Sequence, residues 1–103
     1  MQGDGHRTNM KLSRAEVRTA HAVGCLRQLC RHWSHKFTVE FDDTHGKIHL
    51  PKAIVTLMPS PAALSVYIEV QEPADQPQME EVVAEHLQRF GFRETLVFNW
   101  LRS

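Results

Sequence analysis

From Leu64 to Val70 apolar and polar side chains alternate without a break: Leu64, Val66, Ile68 and Val70 against Ser65, Tyr67 and Glu69. A period of two places the first set on one face of a β-strand and the second on the other, so one face needs cover and the other meets water. The pattern recurs. Ala15, Val17 and Thr19 alternate with Arg14, Glu16 and Arg18, and Phe37, Val39 and Phe41 with Thr38, Glu40 and Asp42. Ile48 and Leu50 mark the inward side of a strand over Lys47 to Leu50, a further strand runs over Ala53 to Met58, and Leu96, Phe98 and Trp100 do the same in Thr95 to Leu101. The central strands are separated by turn sequences, Asp42 to Gly46, Pro51 and Pro59-Ser60-Pro61, too short for crossover connections, which predicts antiparallel pairing. Gly46 is expected to supply the positive φ that a hairpin turn demands.

Two segments break the period of two. In the first, Ala22, Leu26, Leu29 and Trp33 fall on one helical face, flanked by Val23 and Cys30, with Arg27 and Arg31 opposite. Gly24 weakens this helix by up to about 1 kcal/mol relative to alanine, which packing overrides. The second follows the polar linker Gln71 to Gln76 and extends to Phe90. Asp75 and Gln78 are spaced for a capping-box-like start, Glu80 and Glu81 suit the first turn, and Gly91 is placed to end the helix. Its apolar face is Met79, Val83, Leu87 and Phe90, and His86 shares it.

The expected order is strand, helix, four strands, helix, strand. Because the strands have one polar face, both helices must cover the other, giving an α+β two-layer sandwich with a mainly antiparallel sheet. Residues 12 to 103 are expected to form a single domain, preceded by a flexible lead-in over 1 to 11. Trp33 and Trp100 are expected to anchor the same core. Ile54, Met58, Tyr67, Val97 and Leu101 fall on the uncovered face, a patch suited to a protein partner or a second copy in a homodimer.

A chain of 103 residues buries enough surface to fold without metal or disulfide. Lys plus Arg and Asp plus Glu balance at twelve each, so no basic footprint points to nucleic acid; Arg14, Arg18, Arg27 and Arg31 lack interleaved aromatics. The charge is unevenly spread, nine basic and five acidic residues in 1 to 52 against three and seven in 53 to 103. The absence of a signal-like or membrane-length apolar run gives the expectation of a cytoplasmic protein. Cys25 and Cys30, five residues apart on one helix, point apart and are expected to remain thiols, Cys30 in the core and Cys25 at its edge.

Chemistry-bearing residues concentrate on the first helix, where His21, Cys25, His32 and His35 form a narrow stripe at about 100° per residue. His32 and His35 sit in its last turn, and His86 faces them if the two helices are neighbours. Three imidazoles, with Asp42 or Asp43 as an orienting carboxylate, would suit zinc or iron(II) with an open position, or acid-base work. The same residues also have structural uses: donors at a helix C-terminus are favoured by about 0.3–1 kcal/mol each, a histidine on an apolar face can satisfy one N–H locally, and aspartates belong in hairpin turns. His45 and His49 are spread by the extended backbone. No nucleophile motif is present.

Three segments, residues 26–36 (LRQLCRHWSHK), 41–46 (FDDTHG) and 85–94 (EHLQRFGFRE), resemble in their order and spacing the bacterial domain-of-unknown-function family 2218, over about residues 12 to 101. The polar positions that match are His32, His35, Lys36, Asp42, Gly46, His86 and Arg89. Gly24 and Cys25 depart from the larger residues expected there, and Lys52 to Ile54 replaces a glycine-containing segment, so Cys25 gains no support as a ligand. None of the motifs is a catalytic signature. Similar domains precede siderophore-interacting flavoprotein reductases, and the resemblance therefore implies a link to iron or siderophore metabolism. The leading expectation is a non-enzymatic binding or accessory module of the bacterial cytoplasm. The alternative is a small metal-binding protein or enzyme built on His32, His35 and His86.

Overall fold

The computed structural model of the chain describes residues 10–91 and 94–103. Strand β1 (Lys11–Arg18) is followed by helix α1 (Ala22–Ser34), then by β2 (Thr38–Phe41), β3 (Gly46–His49), β4 (Ala53–Pro59) and β5 (Ala63–Val70). A single 3-10 turn (Pro73–Asp75) leads into helix α2 (Gln76–Arg89), and β6 (Leu101–Arg102) closes the chain. The six strands form one antiparallel sheet in the order β2-β3-β4-β5-β1-β6. The element order is the one the hydrophobic periods predict. Among the described residues no helix is long and apolar enough to cross a membrane.

The register explains the covered face. Val39, Ile48, Val55, Ile68, Ser13 and Arg102 are paired in succession across all six strands, so their side chains lie in one inward row. Ile48, Val55 and Ile68 are fully buried under Leu26, Leu29 and Val83 from the helices, each such side chain contributing about 1.5–3 kcal/mol of transfer free energy. The row turns polar at its far end. Ser13 is buried but not wasted, because it donates to Glu80, which descends from α2 and also accepts from Arg102 of β6.

Several local expectations are corrected. Gly46 does not take a positive φ; its value lies in close packing, since a Cβ there would sit 2.8 Å from the Cys30 sulfur and 3.5 Å from Leu26. Asp75 makes no side-chain cap on α2, and the 3-10 turn delivers the chain into the helix instead, with proline in its first turn. The closing strand is shorter than the Thr95 to Leu101 expected: residues 95–100 make no ladder, and the Gln88 side chain takes over its work, donating to the Glu94 carbonyl at 2.8 Å and accepting from the Leu96 amide at 2.9 Å. Leu96 is buried there, whereas Trp100 is only half-buried, stacked on Phe98 at 5.8 Å. Trp33 sits in the core as expected. Of the lead-in, residues 1–9 lie outside the described residues, and Lys11 already belongs to β1. Cys25 is fully buried rather than at the edge.

Candidate functional site

Helix α1 runs for 13 residues, about 20 Å at 1.5 Å per residue, and its histidines are distributed along that length. His21 occupies the N-cap, 3.8 Å from Glu94. His35 occupies the exposed C-cap. The two ends of the stripe are thus too far apart to serve one ligand. Cys25 turns inward and donates its thiol hydrogen to the Phe90 carbonyl at 3.3 Å; burial, then the charge of Glu94, pushes its pKa up. Burial pushes the Cys30 thiol to about 11. Both cysteines are free.

Two of the three candidate imidazoles do meet. The His32 and His86 rings lie 5.6 Å apart, His86 is 4.9 Å from the Trp33 ring, and His32 is 6.1 Å from Phe90. This cluster joins the C-terminal turns of α1 and α2. His86 Nδ1 lies 2.7 Å from the Val82 carbonyl, and a carbonyl only accepts, so Nδ1 carries the hydrogen and Nε2 is the nitrogen left for any ligand.

The two aspartates are engaged elsewhere. Asp42 closes the β2–β3 turn, accepting from the Thr44 amide at 2.7 Å, the Thr44 hydroxyl at 2.6 Å and the His45 amide at 3.1 Å. Those bonds, led by the Thr44 hydroxyl, hold its carboxyl below the ordinary range. Asp43 receives the Arg27 guanidinium through two bonds, at 2.8 and 2.6 Å, tying the turn to the middle of α1. Among the described residues no group of three His, Cys, Asp or Glu is arranged to hold a metal ion.

Beside the aromatic cluster a concave groove of about 310 Å³ opens between the helices and the β3–β4 turn. Its apolar wall is Trp33 and Phe37, Leu50 and Pro51 from the turn, and Met79 and Val82 from α2. The polar residues at the groove are Lys52, Gln78 and His86. Apolar walls with a few placed polar groups are the usual make-up of a small-molecule site. Of these residues, sequence reasoning singled out His86 alone as a site candidate. Phe37, Leu50, Lys52 and Val82 come from three separate segments, and only the packing of α2 over the end of α1 brings them together.

A family model described as an uncharacterised protein conserved in bacteria, DUF2218, matches residues 14–101. The chain belongs to this family. It is also similar to PA4090 from Pseudomonas aeruginosa, whose NMR structure gives a TM-score of 0.73 at 32% identity, over 87% of this chain and 94% of that one. No curated protein matches the sequence.

Proposed function

We propose that this DUF2218 domain is a non-enzymatic binding module of the bacterial cytoplasm and that its site is the groove between Trp33, Leu50 and Val82. The observation that carries the reading is the composition of that groove: six apolar residues form its wall, with Lys52, Gln78 and His86 as the polar contributors. Apolar burial supplies affinity in such a site and the few polar groups supply orientation. At about 310 Å³ the groove suits a small ligand. The link to iron or siderophore metabolism implied by the family resemblance is the wider setting of this reading.

Amide chemical-shift mapping with 1-octanol as a neutral apolar probe tests it. The expected result is saturable shifts confined to Trp33, Phe37, residues 50–52 and residues 78–86, abolished in a Val82→Arg variant whose melting temperature stays close to the parent's. Shifts spread over the open face of the sheet, or no saturation, would overturn the assignment.

One observation favours a second reading, a metal site: the 5.6 Å between the His32 and His86 rings is compatible with both imidazoles reaching one zinc or iron(II) ion at about 2.0–2.1 Å per nitrogen. His35 would then have to complete the set by a movement of the helix end. Zinc titration followed by calorimetry separates the readings, since one ion per chain lost in both His32→Ala and His86→Ala belongs to this one alone.

A further inference from the structure

Resting on the groove reading, we infer that the ligand is an amphiphilic monocarboxylate, held by its head group at Lys52 and Gln78 with its apolar body laid along α2 toward Trp33. The polar residues of the groove are not evenly spread. Gln78 lies in the first turn of α2 and His86 eight residues on, about 12 Å along the axis, with Met79 and Val82 between them. Lys52, from the β3–β4 turn, lies at the Gln78 end, because its ammonium is 3.9 Å from Asp75, the residue just before α2. The groove therefore has one end that donates hydrogen bonds and a long apolar remainder.

At the donating end Lys52 lines the groove, while the carboxylate nearest its ammonium, Asp75 at 3.9 Å, does not. Among the described residues lining this groove there is no aspartate or glutamate, and Lys52 is the one permanent cation. Asp75, Glu72 and Glu69 line a neighbouring depression that shares Leu50, Pro51 and Lys52 with the groove. At 3.9 Å the Lys52–Asp75 contact is an ion pair without a hydrogen bond, so Asp75 offsets part of the Lys52 charge while the ammonium hydrogens stay available to a ligand oxygen. The Gln78 amide is exposed beside it and offers a second donor. One ammonium and one amide match the two oxygens of a carboxylate. A phosphate dianion is more often met by an arginine fork, and no arginine is among the described residues lining the groove.

Three probes of equal chain length separate the head group from the body: octanoate, 1-octanol and octylamine, each titrated calorimetrically into the full chain at fixed ionic strength. Octanoate is expected to bind once per chain and about tenfold more tightly than 1-octanol, with octylamine weakest. Lys52→Met keeps most of the aliphatic stem and removes the charge; it should bring octanoate down to the affinity that 1-octanol shows for the same variant. Equal affinities for the three probes, tightest binding of octylamine, or an octanoate preference that survives in Lys52→Met would overturn the head-group assignment while leaving the groove as a binding site. Failure of all three probes to saturate would overturn both.

Discussion

Arg102 grips Glu80 with both arms of its guanidinium, Nε donating to Oε2 at 2.9 Å and Nη2 to Oε1 at 2.8 Å. Ser13 donates to the same Oε2 at 2.5 Å. Three elements, β1, α2 and β6, thus converge on one buried carboxylate, which adds to the backbone pairing with β1 in holding a strand of only two residues in the sheet. Glu80→Ala should cost about 1–3 kcal/mol, because it leaves the buried Ser13 hydroxyl without its acceptor as well as removing a charge-assisted pair. Chemical denaturation measures the loss. The Arg102 bond, as the largest cause, holds the Glu80 carboxyl below its ordinary value of 4.5. A lowered folded pKa contributes stability above the unfolded value that disappears as the pH falls through the folded one. The gap between wild type and Glu80→Gln should therefore be full at pH 6 and narrow on acidification below about pH 4.5.

Gly46 and Cys30 test how closely α1 rides on the sheet. A methyl group at residue 46 would stand 2.8 Å from the Cys30 sulfur, well inside contact distance, and that sulfur is buried among its neighbours. Gly46→Ala is expected to destabilise the fold by about 1–3 kcal/mol through overpacking. Adding Cys30→Ala removes the obstructing atom, so the double variant should be less destabilised than the sum of the two single changes. Strict additivity in urea melts would mean that the helix simply lifts away.

Both thiols should be inert in the native protein. Cys30 titrates near 11 and Cys25 above the ordinary thiol value, so little thiolate is present at pH 8, and both side chains are buried. Labelling with a thiol-specific reagent is expected to proceed only as fast as the protein unfolds, with both cysteines modified together on adding denaturant. Rapid native-state labelling of either would contradict this.

Much of this fold is legible because its strands are half-buried. Leu64, Val66, Ile68 and Val70 announce their face by alternation, and the face of α1 is given by Leu26, Leu29 and Trp33 at helical spacing. Ser13 is less legible: a serine at an inward register position reads as a defect until Glu80 comes down from another element. Residues 95–100 keep the alternation of a strand, with Leu96 buried and Val97 exposed, yet a glutamine side chain replaces the ladder, and periodicity carries no information about which donor satisfies a backbone. The candidate site suffers most. The histidine stripe on α1 is real as an angle, but angle ignores distance along the axis, which puts His21 and His35 at opposite ends. The groove depends on the packing of two helices and a turn, a relation that no local pattern encodes.

Gln76 offers a gain rather than a loss. It is buried at the start of α2, and its amide nitrogen has no partner among the described residues. Desolvating such a group without a bond costs about 1–3 kcal/mol. Gln76→Met keeps similar length and removes the amide, so it should leave stability unchanged or raise it, by up to about 2 kcal/mol. A clear loss in thermal melts would mean that the amide is satisfied in solution.

His35 and His86 should respond in opposite ways to the same change. His35 stands exposed at the C-cap of α1, where a side chain gains no more than about 0.3–1 kcal/mol from the helix dipole. His86 is part-buried, its Nδ1–H bonded to the Val82 carbonyl and its ring 4.9 Å from Trp33. His35→Ala is therefore expected to melt within a degree or two of wild type at pH 7.5, whereas His86→Ala gives up both a hydrogen bond and an aromatic contact and should lose about 1–2 kcal/mol. The Trp33 fluorescence should also respond to His86→Ala and not to His35→Ala. Equal losses from both variants would indicate that the two rings act as one unit, the result that a shared ligand between the helix ends requires.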